Sequence, residues 1–232
     1  MSLALGSVRG RGRPDGVPVL WFYRLAQVVL WILYRFFFQI EVHGSVGVPN
    51  DGRGTILAPN HASYLDPPIL GISLEKPVSY LAKEYLFKVF ILKSLLRALG
   101  VLPVKSEREG FRSLRQILRL LKEGRQVVVF PEGTRTRDGG FQSAEGGVGF
   151  LALKSEAHVV PVYIRGSFEA WPKGRDFFKC RPIAVFFGKS FTPSTQPDLC
   201  EAGGAGYQAV ADRIMSEIKR IKEEVGSCHK PK

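Results

Sequence analysis

Cysteine is scarce in this chain of 232 residues, and its arrangement is as telling as its number. Cys180, Cys200 and Cys228 are odd in count, late in the chain and without C-x-x-C spacing, which argues against a disulfide framework and a thiolate zinc site. A reducing compartment is the simpler expectation. No G-x-S-x-G elbow occurs and no cysteine lies near His61, so a covalent intermediate has no obvious carrier. A glycine-rich phosphate loop is missing as well, because Gly146-Gly147-Val148-Gly149 lacks the following lysine. Acidic residues are in short supply as well. Asp and Glu number 21 against 33 Lys and Arg, a formal charge of +12. Such a surface attracts polyanions: nucleic acid, an anionic bilayer, or a phosphorylated substrate with a nucleotide-bearing donor. The basic residues mostly interleave with apolar ones, as from Lys83 to Lys93, which favours an interface over a nucleic-acid-binding tail.

Long uninterrupted apolar runs are missing too. Between Val17 and Ile40, Arg24, Gln27 and Arg35 interrupt a stretch that needs roughly 20 mostly apolar residues to cross a bilayer. No small-residue cleavage site follows, since the chain continues into Glu41-Val42-His43-Gly44. Trp21, Phe22, Trp31, Tyr34 and Phe36 to Phe38, set among two arginines, predict a helix lying in the headgroup layer over residues 17–40. A helix buried in a core would not need large aromatic residues on nearly every side.

Hydrophobic content of 45% and charged content of 23% are near globular averages, and a chain this long can bury a core without staples. Short β-rich runs recur at Ile40 to His43, Thr55 to Pro59, Val78 to Leu81, Val101 to Val104, Val127 to Phe130, Val159 to Ile164 and Ile183 to Phe187. Helical spacing fills Pro67 to Leu74, Glu84 to Leu99, Phe111 to Glu123, Gly147 to Ser155 and Tyr207 to Val225. The alternation predicts an α/β fold: one domain with a central, mostly parallel or mixed sheet flanked by helices, plus the N-terminal interfacial helix. Continuously apolar runs such as Val127-Val128-Val129-Phe130 suit central strands covered on both faces. The expected boundaries are a basic flexible start at 1–16, the membrane-interacting helix at 17–40, the main domain at 41–226 and a tail at 227–232. Pro193 to Gly206 is expected to be a loop ahead of the last helix.

Among four histidines, His61 alone stands at an expected strand end with a carboxylate five residues downstream, in Asn60-His61-Ala62-Ser63-Tyr64-Leu65-Asp66. The backbone can fold back before Pro67-Pro68 and let Asp66 accept a hydrogen bond from the imidazole. That bond would fix the tautomer, stabilise an imidazolium and leave the other ring nitrogen to take a proton. By itself the segment also fits an Asp66 that caps the next helix and a turn histidine with no chemistry.

A second loop, Phe130-Pro131-Glu132-Gly133-Thr134-Arg135, also follows an apolar strand. Gly133 allows a turn with positive φ, Glu132 and Thr134 offer hydrogen-bonding groups, and Arg135 with Arg137 supplies planar donors suited to phosphate. A plain Glu-Gly turn with solvated arginines has the same composition.

The two loops in this order, with Val160-Pro161-Val162-Tyr163-Ile164-Arg165-Gly166 after them, resemble the glycerolipid acyltransferase family, of the bacterial 1-acyl-sn-glycerol-3-phosphate acyltransferase type. The resemblance runs from about Ile40 to about Phe191 and identifies the main domain as the acyltransferase domain. It implies His61 as general base with Asp66 as its partner, an acceptor-phosphate site at Glu132, Gly133, Thr134 and Arg135, and an acyl-donor region at Pro161. Where the family's second block ends in a phosphate-holding arginine, this chain offers Lys105, or Arg108 just beyond. A lysine is a point charge and not a fork, so the clamp differs there. The lysine that often follows the third block is replaced by Ser143-Ala144-Glu145-Gly146.

The resemblance implies transfer of a fatty acyl chain from acyl-CoA or acyl carrier protein to the sn-2 hydroxyl of lysophosphatidic acid, giving phosphatidic acid. Another lysophospholipid or an amine-bearing lipid stays open as acceptor, as does a non-catalytic membrane-bound scaffold. No cofactor, metal or nucleic acid is expected. The expected partner is an anionic membrane surface, at the cytoplasmic face of the inner membrane. The segment from Tyr80 to Leu99, with Lys83, Lys88, Lys93 and Arg97, is a second candidate for docking there, or else a packed helix with solvated lysines.

Overall fold

A computed structural model of the protein describes residues 18–88, 90–104, 110–196 and 204–227. Seven strands form one sheet: β1 (Glu41–His43), β2 (Thr55–Pro59), β3 (Val78–Lys83), β4 (Val101–Val104), β5 (Gln126–Val128), β6 (His158–Arg165) and β7 (Ala184–Phe187), in the order β1-β7-β6-β2-β5-β3-β4. Neighbours are parallel except β6 and β7, which run antiparallel. The sheet is therefore mixed, and every strand falls where the β-rich runs put it. β2 lies at its centre with all five residues buried, as its unbroken apolar character requires.

Helices cover both faces. On one, α1 (Leu20–Phe38), α2 (Asp66–Ile72) and α3 (Phe90–Ala98) pack over Leu57, Val128, Val160 and Val162. On the other, α4 (Gly110–Lys122), α5 (Gly146–Ser155) and α7 (Gly204–Ser227) pack over Ile56, Ala58, Val127 and Val159. Successive residues of β2 thus serve opposite cores, as the two-residue period of a strand demands. The stripe Val210, Ile214, Ile218 and Ile221 of α7 is buried as its spacing predicts. Gly149 allows α7 to approach α5, for a Cβ there would stand 1.9 Å from the carbonyl oxygen of Tyr207.

Three elements depart from expectation. The helix read from Glu84 to Leu99 is interrupted: β3 runs on to Lys83, a 3₁₀ turn occupies Glu84–Phe87 and α3 begins at Phe90. Periodicity alone could not distinguish that break, because each piece keeps an apolar side toward the same core. The last helix starts three residues early, at Gly204. A short helix, α6 (Ser167–Ala170), follows β6 in a stretch left unassigned by periodicity.

α1 neither disappears into the core nor stands apart. Tyr23, Tyr34 and Phe38 are buried, while Trp21, Leu25, Val28, Val29, Ile32 and Phe36 are exposed. Gln27, one of the interruptions that break the apolar run, donates to the carbonyls of Gly71 and Leu74 at 2.7 and 2.8 Å. It satisfies carbonyls at the end of α2 that have no intrahelical partner. Among the described residues no helix is long and apolar enough to cross a membrane. The expected start at 1–16 lies outside the described residues, as does the expected tail at 227–232 except for Ser227, which belongs to α7.

Candidate active site

His61 follows β2 at the carboxyl ends of the parallel strands, where open α/β sheets place their clefts. Its Nδ1 lies 2.9 Å from Oδ2 of Asp66. The same oxygen accepts N–H bonds from Ala62 and Ser63, each at 2.7 Å. Asp66 opens α2, its side chain is 0% exposed, and the prolines after it suit the first helical turn. Its charge also faces α1: burial first, and the Asp66 carboxylate second, push the Tyr34 phenol above its ordinary range. The His61 side chain keeps 16% exposure, and among the described residues no group bonds its Nε2. An imidazole held at Nδ1 and open at Nε2 is arranged to accept a proton from a hydroxyl at Nε2.

The loop after β5 grips this histidine by its backbone. Oε1 of Glu132 accepts the His61 N–H at 2.8 Å, and the Thr136 N–H donates to the His61 carbonyl at 2.9 Å. The Phe130 ring stacks on the imidazole, centroids 3.8 Å apart and planes at 22°. The other carboxylate oxygen of Glu132 accepts the Gln142 N–H at 2.9 Å. Glu132 is buried, which raises its pKa, and these N–H groups partly counter the rise. Its carboxylate is thus a brace between two loops, each oxygen engaged by a backbone N–H. Gly133 takes φ +65°, and a Cβ there would meet the Glu145 carboxylate at 2.9 Å, so glycine is what this turn needs.

Thr134 is exposed, and its N–H closes the turn onto the Glu132 carbonyl. Arg135 is half-buried, its guanidinium 3.6 Å from the ring centre of Tyr64, a residue inside the His61–Asp66 segment. Among the described residues no carboxylate pairs with Arg135. Pro161 is set differently: it is buried inside β6, in register with Ala58. Its carbonyl accepts the Gly188 N–H. Lys105 and Arg108 lie outside the described residues.

Asn60 emerges as a positioning residue that sequence reasoning quoted without a role. Its amide donates to the Ile164 carbonyl at 3.1 Å and accepts the Ile164 N–H at 2.7 Å, locking the chain before His61 to the end of β6. Ser63 is the second such lock: buried, it donates to the Trp171 carbonyl at 2.7 Å. An amide side chain just after a strand was the available signal for Asn60. Its partner, 104 residues away, had none.

Residues 39–165 match the family model described as Acyltransferase, more than half of the chain. The protein belongs to the acyltransferase family. The matched span contains both loops and ends with β6. The chain is 32% identical over 142 residues to 1-acyl-sn-glycerol-3-phosphate acyltransferase LPAT1, chloroplastic, of Arabidopsis thaliana, covering 60% of this chain and 40% of that one. It is 28% identical over 185 residues to a Bacillus subtilis protein named 1-acyl-sn-glycerol-3-phosphate acyltransferase, covering 79% and 87%. The chain spans about half the length or less of the plant and algal relatives it matches. The crystal structure of the 1-acyl-sn-glycerophosphate acyltransferase PlsC from Thermotoga maritima shares the fold, with TM-score 0.71 at 24% identity over 92% of this chain and 81% of that one.

Proposed function

We propose that the protein transfers a fatty acyl chain from a thioester, acyl-CoA or acyl carrier protein, to the sn-2 hydroxyl of lysophosphatidic acid. The observation that carries this reading is the His61–Asp66 pair, bonded through Nδ1 and open at Nε2, beside an arginine without a carboxylate partner among the described residues. The names of the bacterial relatives support the choice of acceptor.

In this scheme Nε2 of His61 takes the hydroxyl proton as the acceptor oxygen attacks the thioester carbonyl. Asp66 fixes the tautomer with the proton on Nδ1 and stabilises the imidazolium. The tetrahedral adduct collapses by breaking the carbon–sulfur bond, and the thiolate takes the proton from His61. Arg135 binds the acceptor phosphate, and the Tyr64 ring holds its guanidinium plane. Glu132, Thr136, Phe130 and Asn60 act on the reaction through the position of His61. The exposed face of α1 rests on the cytoplasmic face of the inner membrane, from which both lipid substrates reach the cleft.

Purified protein offered acyl-CoA or acyl carrier protein thioesters with a panel of lysolipids tests the reading. Free thiol release coupled to phosphatidic acid formation is the expected result. Turnover confined to zwitterionic or amine-bearing acceptors would remove the phosphate clamp from the scheme. Absence of turnover with every donor and acceptor would leave a scaffold.

A further inference from the structure

The loop from Pro172 to Pro182 has a makeup that the catalytic scheme leaves unused. It carries Lys173, Arg175, Lys179 and Arg181 against the single carboxylate of Asp176, and all five are exposed. Phe177 is 82% exposed, whereas the next ring, Phe178, is 42% exposed and leans on α1. Phe178 meets Phe37 and Phe38 at the carboxyl end of α1, with centroids at 5.8 and 5.4 Å, and Trp171 at 6.1 Å.

The loop is also fastened to the catalytic segment. Ser63 bridges to Pro172 and donates to the Trp171 carbonyl, Trp171 Nε1 donates to the Arg175 carbonyl at 2.8 Å, and the Lys179 N–H donates to the Ala170 carbonyl at 2.8 Å. Tyr64 packs on Trp171 at 5.4 Å. An exposed aromatic ring with a collar of cations is the chemistry that recognises an anionic lipid surface, the ring entering the acyl boundary and the cations meeting phosphates. Phe178 makes that surface continuous with the exposed apolar face of α1, where Phe36 also stands in solvent.

We propose that Pro172 to Pro182 is a second membrane-contacting element, in which Phe177 enters an anionic bilayer. Because Ser63 and Tyr64 join this loop to the His61–Asp66 segment, its depth sets the distance between the cleft and the lipid. The proposal rests on the lipid-substrate reading for its purpose, but not for its test.

The test uses the full chain and vesicles of phosphatidylcholine alone or mixed with phosphatidylglycerol. Phe177→Ser should weaken partitioning onto the mixed vesicles roughly ten-fold, the loss expected for one buried aromatic side chain. The double variant Lys179→Glu, Arg181→Glu should abolish most of the preference for mixed over neutral vesicles. Cys180, exposed in the loop, accepts an environment-sensitive fluorophore once Cys200 and Cys228 are serine. Its emission should shift blue on mixed vesicles. Unchanged partitioning of Phe177→Ser, or a probe that stays in water while the protein is bound, would overturn the proposal. Phe177→Ser should turn over detergent-dispersed lysophosphatidate at the wild-type rate. If wild type fails in that detergent assay, the acyltransfer reading falls and the vesicle result stands.

Discussion

Two histidine–aspartate pairs lie at opposite ends of the sheet, and they share little beyond their composition. At the carboxyl ends of the parallel strands, His61 meets Asp66 through Nδ1 alone and leaves Nε2 open. At the amino ends, His158 begins β6 with both nitrogens engaged: Nδ1 with Thr192 Oγ1 at 2.8 Å and Nε2 with both oxygens of Asp51 at 3.1 Å. Asp51 in turn accepts from Arg53. The difference teaches that a His–Asp contact is not in itself a base with its orienter. A base needs a free nitrogen and a way in, whereas the second pair, with both nitrogens engaged and the ring buried, fastens the turn before β2 to the chain after β7.

His61→Ala should lower turnover per folded molecule by roughly 10²–10⁴-fold, a loss that no change in its unfolding midpoint accounts for. His158→Ala should leave kcat per folded molecule unchanged and destabilise the protein by about 1–3 kcal/mol, since Asp51 and Thr192 lose their partner. Activity and urea unfolding measured on both variants give a crossed pattern if the two roles are as assigned. A catalytic defect in His158→Ala beyond its loss of folded protein would refute the assignment.

Arg135→Ala comes next. A charge-assisted contact to the acceptor is worth roughly 1.5–3 kcal/mol, so the acceptor KM should rise about ten-fold or more with donor KM nearly unchanged. Arg135→Lys should recover part of the loss, because the planar fork and its seat on Tyr64 are gone. Initial-rate kinetics against both substrates separate this from a general defect. Glu132→Gln is expected to be milder and different in kind. An amide can accept one of the two N–H groups but turns its NH₂ toward the other, so the clasp on His61 loosens. The expected cost is about ten-fold in kcat, equivalent to ~1.4 kcal/mol, with acceptor KM little changed. A rise in acceptor KM alone would return Glu132 to the acceptor-binding role implied by the family resemblance.

The His61–Asp66 pair was legible in the sequence because its parts are five residues apart and a strand end and two prolines frame them. The seven strands were legible for a similar reason: each is a local run of apolar, β-branched residues. What stayed hidden is what joins distant segments. Nothing in Asp51 announces His158, 107 residues on, because neither carries a signal for a partner so distant in the chain. Glu132 was placed in the acceptor-phosphate site through the resemblance, and its two N–H bonds give it a bracing role that the resemblance did not announce. Its partner, the His61 backbone, lies 71 residues earlier and carries no sequence signal. The stripe of α1 that packs was likewise hidden, because aromatic residues surround the whole helix and Gln27 gave no sign of the carbonyls it meets.

The smallest effect probes the sealed pair through pH. The Arg53 guanidinium, and after it His158, hold the Asp51 carboxyl well below the usual carboxylate range. As pH falls through the range where a free aspartate titrates, about 4, the unfolded chain therefore takes up a proton that the native state still refuses. The contribution of Asp51 is fully present above that range and fades as pH falls below it. Asp51→Asn removes this dependence: it should be less stable than wild type at neutral pH and converge toward it in acid. Urea midpoints for both proteins across the acid limb measure the difference. Asp66→Asn, assayed in parallel, should lose most turnover at every pH, since an amide cannot stabilise the imidazolium. Parallel urea curves for wild type and Asp51→Asn down to the acid limit would show that the contact carries no pH-dependent stability, and the contrast between the two pairs would then rest on the open Nε2 alone.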